Sequence, residues 1–299
     1  MKARTNKTLL VDGNNLFYRA YFSHGKLASF NGQNMSAIFG ILNILSALLS
    51  KFTINEVIVC WDGKKDPNRL KLWPEYKAKR KKIGHDYEDM NAQKKHIKKL
   101  LHLLGVKQII NDMEADDLIY KVVRERRKTK KPIIILSTDK DFDQLVSRRV
   151  WIWNEKVGQI ITPKSIKRLK GYTAEQCVDY LCLKGDDSDN IPGYKGLGEK
   201  GIAKFFETFP NGIYEYLDLE APYEKLDRDK MLEVYNRNRV LICLRTFNMM
   251  YHRKTKLEYY KSNTPILRKQ KYVELAASLG LRKFREDKFI NTFKKLNND

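Results

Sequence analysis

The N-terminal half of the chain alternates short apolar runs with longer segments whose apolar residues recur at helical spacing. The apolar runs predict five strands, at residues 8–11, 56–61, 106–110, 132–136 and 150–153. Continuous apolar strands that alternate with helices are typical of a parallel sheet covered on both faces. We therefore expect an α/β fold with a mostly parallel central sheet covered by helices.

The pattern between and after these runs is helical. Helices are predicted at residues 16–22, 36–52, 97–104 and 116–128, with Ser36 as a cap and a loop over 25–34. After about residue 162 we see no convincing strands, and helices are predicted at 173–183, 202–209, 231–244 and 284–296. We therefore divide the chain into an α/β core, residues 1–162, and a helical region, residues 163–299.

Acidic residues follow most of the apolar runs. They are Asp12, Asp62, the group Glu114, Asp116 and Asp117, and the pair Asp139 and Asp141. Because the carboxyl ends of parallel strands share one sheet edge, these seven acids are expected to converge there. Asp186 and Asp189, in the helical region, are candidates to join them. The alternative is that each acid caps its own helix or turn.

A cluster of this size cannot stay ionised in one pocket without cations. Ligation by oxygen alone suits Mg²⁺ or Mn²⁺ rather than zinc. Two such ions held about 3.5–4 Å apart are the usual device for cutting phosphodiesters, since they activate water and stabilise the leaving oxygen. The acids therefore predict a two-metal hydrolytic site.

The charge of the chain points to a polyanionic partner. Lysine and arginine number 58 against 36 acidic residues, a net charge of +22. Nucleic acid is the usual partner of so basic a protein, and a surface charged only for solubility is the alternative. Residues 64–99 concentrate this charge, with thirteen Lys or Arg against five acids.

The cysteines and the length of the apolar stretches indicate in which cellular compartment the protein is expected. Cys60, Cys177, Cys182 and Cys243 form no Cys-x-x-Cys pair and match no zinc spacing, so buried thiols in a reducing compartment are expected. We find neither a signal-peptide pattern nor a stretch of about 20 apolar residues. We expect a protein of the cytoplasm without membrane association.

A glycine turn lies within the helical region. Residues 196–201 fit the Gly-x-Gly-x-x-Gly dinucleotide fingerprint, but no strand precedes them, so we reject that interpretation. A tight turn between two helices would instead present backbone amides to DNA phosphates, with Lys195 and Lys200 beside Gly196 and Gly198. A plain helix–helix turn is the alternative.

Six blocks of the sequence occur together in an order that is highly specific. They are Val11-Asp12-Gly13 with Tyr18-Arg19-Ala20, Asp62, Pro74-Glu75-Tyr76-Lys77 with Arg80, Glu114-Ala115-Asp116-Asp117, Ser137-Thr138-Asp139-Lys140-Asp141, and residues 185–193. The chain resembles the 5′-nuclease family, which includes flap endonucleases, phage 5′ exonucleases (among them the phage ribonuclease H type), and the N-terminal nuclease domain of bacterial DNA polymerase I. Asn68 departs from the family pattern, which often has Phe before the arginine.

The resemblance implies a role for each matching residue. Residues 64–99 would form a helical arch, with Lys77 and Arg80 steadying the scissile phosphate and Tyr76 stacking on a nucleobase. Arg19 would contact substrate near the metals. Residues 185–209 would form a helix-hairpin-helix variant that grips duplex DNA and holds K⁺. The ligands of the two Mg²⁺ ions, for which Mn²⁺ can substitute, would be Asp12, Asp62, Glu114, Asp116, Asp117, Asp139, Asp141, Asp186 and Asp189.

The resemblance thus implies a structure-specific 5′ nuclease, acting as a 5′-3′ exonuclease and flap endonuclease that removes flaps or RNA primers. Its substrates would be branched or 5′-ended DNA and RNA/DNA duplexes. We expect a stand-alone monomer in a bacterial or phage-infected cytoplasm, with a single-strand-binding protein or a polymerase as partner. The alternatives are a catalytically silent DNA-junction-binding protein and a PIN-type ribonuclease.

Overall fold

A six-stranded sheet forms the centre of the structure and determines where the acidic residues meet. The computed structural model describes residues 6–23, 32–79, 87–155, 157–219 and 226–296. The strands are β1 (Lys7–Asp12), β2 (Ile54–Trp61), β3 (Lys107–Ile110), β4 (Ile133–Leu136), β5 (Val150–Asn154), β6 (Gln159–Ile161), β7 (Gly185–Asp186) and β8 (Ile191–Pro192).

Helices cover the sheet and continue to the C-terminal side. They are α1 (Gly13–Ser23), α2 (Ser36–Lys51), α3 (Pro67–Leu72), α4 (Tyr87–Leu103), α5 (Ala115–Glu125), α6 (Ile166–Lys170), α7 (Cys177–Lys184), α8 (Glu199–Thr208), α9 (Ile213–Leu217), α10 (Arg228–Ile242), α11 (Leu244–Tyr251), α12 (Lys269–Ser278) and α13 (Asp287–Asn291). No helix within the described ranges combines the length and apolar character that a membrane crossing requires.

The sheet order is β3-β2-β1-β4-β5-β6, in which β1 to β5 run parallel and β6 pairs antiparallel with β5. The predicted α/β fold with a mostly parallel sheet is confirmed. Because β1 lies between β2 and β4, the chain winds outward in opposite directions on the two sides of β1. Such a switch point opens a crevice at the carboxyl ends of the strands. Asp12 ends β1 at this crevice, and Asp139 follows β4.

Side chains that alternate along the strands give the sheet two apolar faces. Leu10 and Ile58 lie in one core with α5, α7 and α10, whereas Leu9 and Val11 lie in the other with α1, α2 and α4. Every residue of β2 and β4 is buried. Strand β4 is a continuous apolar run, as are residues 57–61 of β2, whereas Asn55 and Glu56 are buried polar residues near the start of β2.

The chain beyond residue 162 packs into the same two cores. Helices α7 and α10 join the core that contains Leu10. Tyr272 of α12 and Phe289 of α13 join the core that contains Leu9. Residues before and after position 162 therefore contribute side chains to the same two cores.

Some predicted helices differ from the structure at their ends. The helix predicted from Thr173 begins at Cys177, because the Thr173 hydroxyl accepts a hydrogen bond from the Gln176 amide in a preceding turn. Ser36 is the first helical residue of α2 rather than its cap. The helix predicted over 284–296 divides into a 3-10 turn at 282–285 and the short α13.

Two short strand pairings were not predicted. The expectation of no strands beyond residue 162 is wrong, because β7 and β8 pair with each other and close the turn that carries Asp186 and Asp189. β6 is a three-residue strand at the sheet edge. Pieces of two or three residues are too short to show a periodic pattern.

The predicted arch is described in part. Helix α3 is capped by Asp66, whose carboxylate accepts from the backbone amides of Asn68 and Arg69. Residues 80–86, which include the predicted catalytic residue Arg80, lie outside the described residues, as does most of the loop predicted over 25–34. All four cysteines are buried free thiols, as expected.

Candidate functional site

Aspartates from five chain segments line one cavity of about 230 Å³ at the carboxyl edge of the sheet. The five are Asp12, Asp62, Asp116, Asp139 and Asp189. The other lining residues are Asn14, Asn15, Tyr18, Arg19, Lys77 and Ala115. The structure therefore brings together five of the nine predicted acids around one cavity, which we name the acid cavity.

Asp12 is held from both sides at the end of β1. Its Oδ1 accepts from the backbone amide of Asn15 at 3.0 Å, and its Oδ2 accepts from the Ser137 hydroxyl at 3.1 Å. Gly13 allows β1 and α1 to approach the Trp61 ring, which would lie 2.7 Å from a Cβ at this position. Burial, and next the charge of Asp62, raise the pKa of Asp12 to about 8.

Asp62 and Asp139 follow β2 and β4. Asp62 Oδ2 accepts a hydrogen bond from the side-chain amide of Asn14 at 2.8 Å, and Asp62 Oδ1 accepts one from the backbone amide of Ala115 at 2.6 Å. Asp139 caps the 3-10 turn at 140–145 by accepting from the backbone amide of Asp141. Desolvation in the crowded cavity raises the pKa of both carboxyls, that of Asp139 to about 6, and the charge of Asp116 adds to the effect.

Asp141 and Asp186 stand beside the acid cavity without lining it. Asp141 Oδ1 is buried and has no hydrogen-bond partner among the described residues. Burial, and next the charges of Asp139 and Asp186, raise the pKa of Asp141 well above its usual value. Asp186 Oδ1 accepts from the Ser188 amide and hydroxyl at 2.9 and 2.7 Å, and its Oδ2 lies 3.5 Å from Lys140 Nζ.

Lys77 places its ammonium group between two acids. Its Nζ donates to Glu114 Oε2 at 2.6 Å and lies 3.7 Å from Asp189 Oδ2. Glu114 is buried behind this contact. Although burial alone would raise its pKa, the charges of Lys77 and Arg69 hold it below the usual value. Glu114 therefore supports Lys77 from behind the cavity wall.

Asp117 lies away from the acid cavity, in a buried polar network. Its side chain is fully buried; Oδ2 accepts from Arg69 Nη1 at 2.6 Å, and Oδ1 accepts from Asn248 Nδ2 at 2.6 Å. Side chains from α3 and α11 engage both of its oxygens, so the structure places Asp117 outside the acid cavity. Its predicted role as a metal ligand stays a prediction.

The two residues predicted to contact DNA near the acids differ in their placement. Tyr76 is 2% exposed and donates its hydroxyl to Glu114 Oε2 at 2.9 Å, so its ring is not available for stacking on a nucleobase in this conformation. Arg19 lines the acid cavity and forms an ion pair with Glu155 through Nη2. Its other terminal nitrogen, Nη1, is buried without a hydrogen-bond partner among the described residues.

The predicted glycine turn precedes α8 and is open to solvent. Gly196 has a φ of +89°, which favours glycine, and Gly198 is the N-cap of α8. A Cβ at either glycine would meet nothing within 4 Å. Lys195 and Lys200 are both exposed beside the turn. The free amides of the first turn of α8 therefore face solvent next to two lysines.

Several residues that shape the site were not identified as such from the sequence. Asn14 and Asn15 follow Asp12-Gly13 directly, and that spacing could have marked them as partners of the acids. Ser137 and Asn190 lie inside quoted blocks but received no role. No local pattern reveals Arg69 as the partner of Asp117, because the two are 48 residues apart in the chain.

The candidate metal ligands in the acid cavity are the carboxylate oxygens of its five aspartates, which suit a hard divalent cation. In the described part of the chain, no group of three or more His, Cys, Asp or Glu side chains is arranged to hold a metal ion as it stands. Mg²⁺ does not require such a group, since it is commonly bound through one or two carboxylates and keeps several waters. The buried, unpartnered Asp141 Oδ1 and the raised pKa values of Asp12 and Asp139 fit a site that takes up positive charge.

Comparison with known proteins finds relatives among 5′-3′ exonucleases and bacterial DNA polymerases I. The chain matches the family model of the 5′-3′ exonuclease N-terminal resolvase-like domain over residues 7–171, more than half of its length. It is 29% identical over 265 residues to the 5′-3′ exonuclease of Buchnera aphidicola, covering 88% of this chain and 89% of that protein. It is 35% identical over 225 residues to the thermostable DNA polymerase I of Thermus aquaticus, covering 75% of this chain and 26% of the polymerase.

The fold is shared with solved nucleases. The bacteriophage T5 D15 flap endonuclease, in a pseudo-enzyme–product complex with DNA and metal ions, superposes with a TM-score of 0.67 at 20% identity, covering 97% of this chain and 100% of that one. The catalytic core of Rad2 in complex with DNA substrate gives a TM-score of 0.58 at 16% identity, covering 98% and 93%. At these identities the likeness shows the fold.

The chain spans about a quarter of the length of the DNA polymerase I relatives it matches and most of the length of the Buchnera exonuclease. The family model and the polymerase relatives both cover more than half of this chain. The chain therefore belongs to the 5′-3′ exonuclease family, whose N-terminal domain occupies residues 7–171.

Proposed function

We propose that the protein is a structure-specific 5′ nuclease that hydrolyses phosphodiester bonds at 5′ flaps and 5′ ends with the help of divalent metal ions. The observation that carries the proposal is the acid cavity, where five aspartates from five segments meet beside Lys77 and Arg19. A protein with a net charge of +22 attracts a polyanion, yet these carboxylates would repel one unless cations lay between them.

The lining aspartates are the proposed ligands of two Mg²⁺ ions, for which Mn²⁺ could substitute. Asp141 and Asp186 stand close enough to the lining acids to perturb them electrostatically, and they would complete the set directly or through water. Bound ions of this kind lower the pKa of water and neutralise charge on a leaving oxygen.

The protein's own residues would bind and orient the phosphate. The Lys77 ammonium faces the acid cavity from its contact with Glu114, so it could turn toward a phosphate oxygen and offset the charge that develops there. Arg19 holds one terminal nitrogen on Glu155 and has a second without a partner among the described residues. That arrangement leaves a donor for a second phosphate oxygen.

The proposed substrates are branched or 5′-ended DNA and RNA/DNA duplexes. The glycine turn at 195–200 would bind the duplex by its backbone, through the amides at the start of α8 and the two exposed lysines, and its carbonyls would hold K⁺. The basic segment 64–99 would receive the single-stranded 5′ end. We further propose that the protein acts as a cytoplasmic monomer, alongside a single-strand-binding protein or a polymerase.

Cleavage of a 5′-labelled flap duplex, in Mg²⁺ and in EDTA, tests this proposal. We expect the flap to be released near its junction in Mg²⁺ and to stay intact in EDTA. Because the label is at the 5′ end, its release as a mononucleotide or very short oligonucleotide would indicate exonucleolytic digestion, and a labelled product of flap length would indicate endonucleolytic cutting. A matched substrate with an RNA 5′ strand would measure the preference between the two polymers.

A catalytically silent junction-binding protein is the alternative. It would bind the flap tightly and yield no product in Mg²⁺ or Mn²⁺. That result would overturn the proposed activity and retain the binding.

A further inference from the structure

Two residues in left-handed backbone conformations meet where the arch base, residues 73–77, touches the turn that carries Asp186 and Asp189. Lys77 has a φ of 55° and Asn190 a φ of 57°. In the described residues the only other non-glycine residue with positive φ is Lys261, at 60°. Side chains disfavour this conformation, and it persists where surrounding contacts enforce it, often at functional sites.

Three hydrogen bonds join these two segments into a unit that we name the clasp, residues 73–77 with 189–190. The Lys77 amide donates to the Asp189 carbonyl at 2.9 Å. The Asn190 side-chain amide donates to the Glu75 carbonyl at 3.0 Å, and the Trp73 indole donates to the Asn190 carbonyl at 2.7 Å. The left-handed turn at Asn190 allows its side chain and its carbonyl to serve the arch base at the same time.

Helix α10 contacts the clasp and the adjoining Pro192 through two side chains, Arg237 and Asn238. Arg237 donates to the Pro192 carbonyl at 2.9 Å, and its guanidinium carbon lies 5.1 Å from the centre of a Trp73 ring. Asn238, which is fully buried, donates to the same carbonyl at 2.8 Å. Both the turn and the indole that holds it are therefore anchored to one helix.

The clasp fixes two groups of the acid cavity relative to each other. Lys77 Nζ lies 3.7 Å from Asp189 Oδ2, and the backbone amide of Lys77 donates a hydrogen bond to the backbone carbonyl of Asp189. A shift of the arch base would therefore move the lysine and the aspartate together. The Asn190 side-chain amide adds a further bond between the two segments, to the Glu75 carbonyl, and the left-handed backbone at residue 190 aims its carbonyl at Trp73.

We propose that Asn190 is a positioning residue: its left-handed backbone and side-chain amide place Lys77 and Asp189 as one unit in the acid cavity. The kinetic consequence rests on the proposed nuclease function, whereas the structural consequence does not. A displacement of about 1 Å among groups that position a substrate can slow a reaction about 100-fold.

Three variants separate the two features of Asn190. Asn190→Gly keeps the left-handed backbone and removes the amide, and Asn190→Asp keeps the shape and removes the donor. Asn190→Ala removes the amide and strains the backbone. Lys261→Gly is the matched control, since it relieves the same conformation outside the clasp.

Two readouts are measured on each variant at a temperature where it is folded: kcat and KM on a 5′ flap, and hydrogen exchange of the Lys77 amide. We expect Asn190→Ala to lower kcat about 100-fold with little change in KM, and Asn190→Gly and Asn190→Asp to lower it less. Exchange at Lys77 should accelerate in the same order. Lys261→Gly should match the wild type in both.

Wild-type kcat and wild-type exchange in Asn190→Ala would overturn the proposal. So would a kcat loss that Lys261→Gly reproduces, or one that appears only because the folded fraction falls. If the wild-type protein cleaves no 5′ substrate, the proposed function fails, and exchange at Lys77 still decides whether Asn190 holds the clasp.

Discussion

Arg69 and Asp117 form a bidentate ion pair behind the acid cavity. Arg69 Nη1 lies 2.6 Å from Asp117 Oδ2, and Arg69 Nη2 lies 3.1 Å from Asp117 Oδ1. Both side chains are almost wholly buried, and the Arg69 guanidinium lies 3.8 Å from the centre of the Phe247 ring. The pair joins α3, α5 and α11, three elements that are distant in the sequence. It thereby anchors the acidic turn, which supplies Asp116 to the cavity, onto the helical region.

Replacing Arg69 should therefore destabilise the whole fold. Arg69→Met leaves Asp117 buried without its partner, and breaking a buried pair in this way costs about 3–5 kcal/mol. We expect the free energy of unfolding in urea to fall by that amount. Lys269→Ala, which breaks the exposed Lys269–Asp287 pair, should change it by less than about 1 kcal/mol. Equal, small effects in both variants would contradict a structural role for the buried pair.

Lys77 is expected to affect turnover more than binding. Lys77→Met keeps the aliphatic stem and removes the charge, so a developing negative charge on the phosphate loses its partner. Removing one donor of this kind costs about 10²–10³ in kcat. Single-turnover cleavage under saturating enzyme, alongside a binding isotherm, separates the two effects. A loss confined to affinity would show that Lys77 only attracts the DNA.

Glu56 should make stability depend on pH in the acid range. Burial alone would raise its pKa, but hydrogen bonds from Arg126 and Lys107 outweigh burial and hold the pKa of Glu56 below its usual 4.5. Because the folded pKa is the lower one, this contribution is present above about pH 4.5 and is lost as the pH falls through the folded pKa. Urea unfolding between pH 3 and 7 should show a smaller loss of stability toward acid in Glu56→Gln. An unchanged slope would show that the pair contributes nothing.

DNA affinity should fall steeply with salt, because the proposed binding mode contacts phosphates. For duplex DNA, each neutralised phosphate contributes about −0.9 to the slope of log K against log salt. Lys195→Ala and Lys200→Ala should each make the slope shallower by about 1 and weaken binding equally on unrelated sequences. Lys271→Ala and Lys288→Ala, exposed on α12 and α13, serve as controls. A flat wild-type response would contradict a mode that grips the backbone.

The sheet and the position of its acids could be predicted because both have local signals. Strand β4 and residues 57–61 of β2 are continuous apolar runs. Asp12 is the last residue of β1, Asp62 follows β2 directly, and Asp139 lies three residues after β4. Parallel topology then forces these ends to one edge. The convergence of Asp12, Asp62 and Asp139 follows from this rule, whereas Asp189, Lys77 and Arg19 reach the acid cavity from other elements.

The residues that fix orientation could not be predicted in this way. Tyr76 and Asp117 lie in recognisable blocks, yet one is buried against Glu114 and the other is paired with Arg69 and Asn248. Asn248 is 131 residues from Asp117 in the chain, and the partners in the clasp are about as far apart. Such contacts arise when the helical region packs on the α/β core. The spacing of apolar residues along the chain does not reveal which distant residues will meet there.

The central claim is that the aspartates of the acid cavity bind the ions that support cleavage. Single-turnover cleavage of a 5′ flap across a Mg²⁺ titration, by the wild type, Asp139→Asn and Asp117→Asn, tests it most directly when DNA binding is measured in parallel. We predict Mg²⁺-dependent product from the wild type and from folded Asp117→Asn. Asp139→Asn should bind the flap as tightly as the wild type and give no product. Cleavage by Asp139→Asn at the wild-type rate and the wild-type Mg²⁺ requirement would contradict the account.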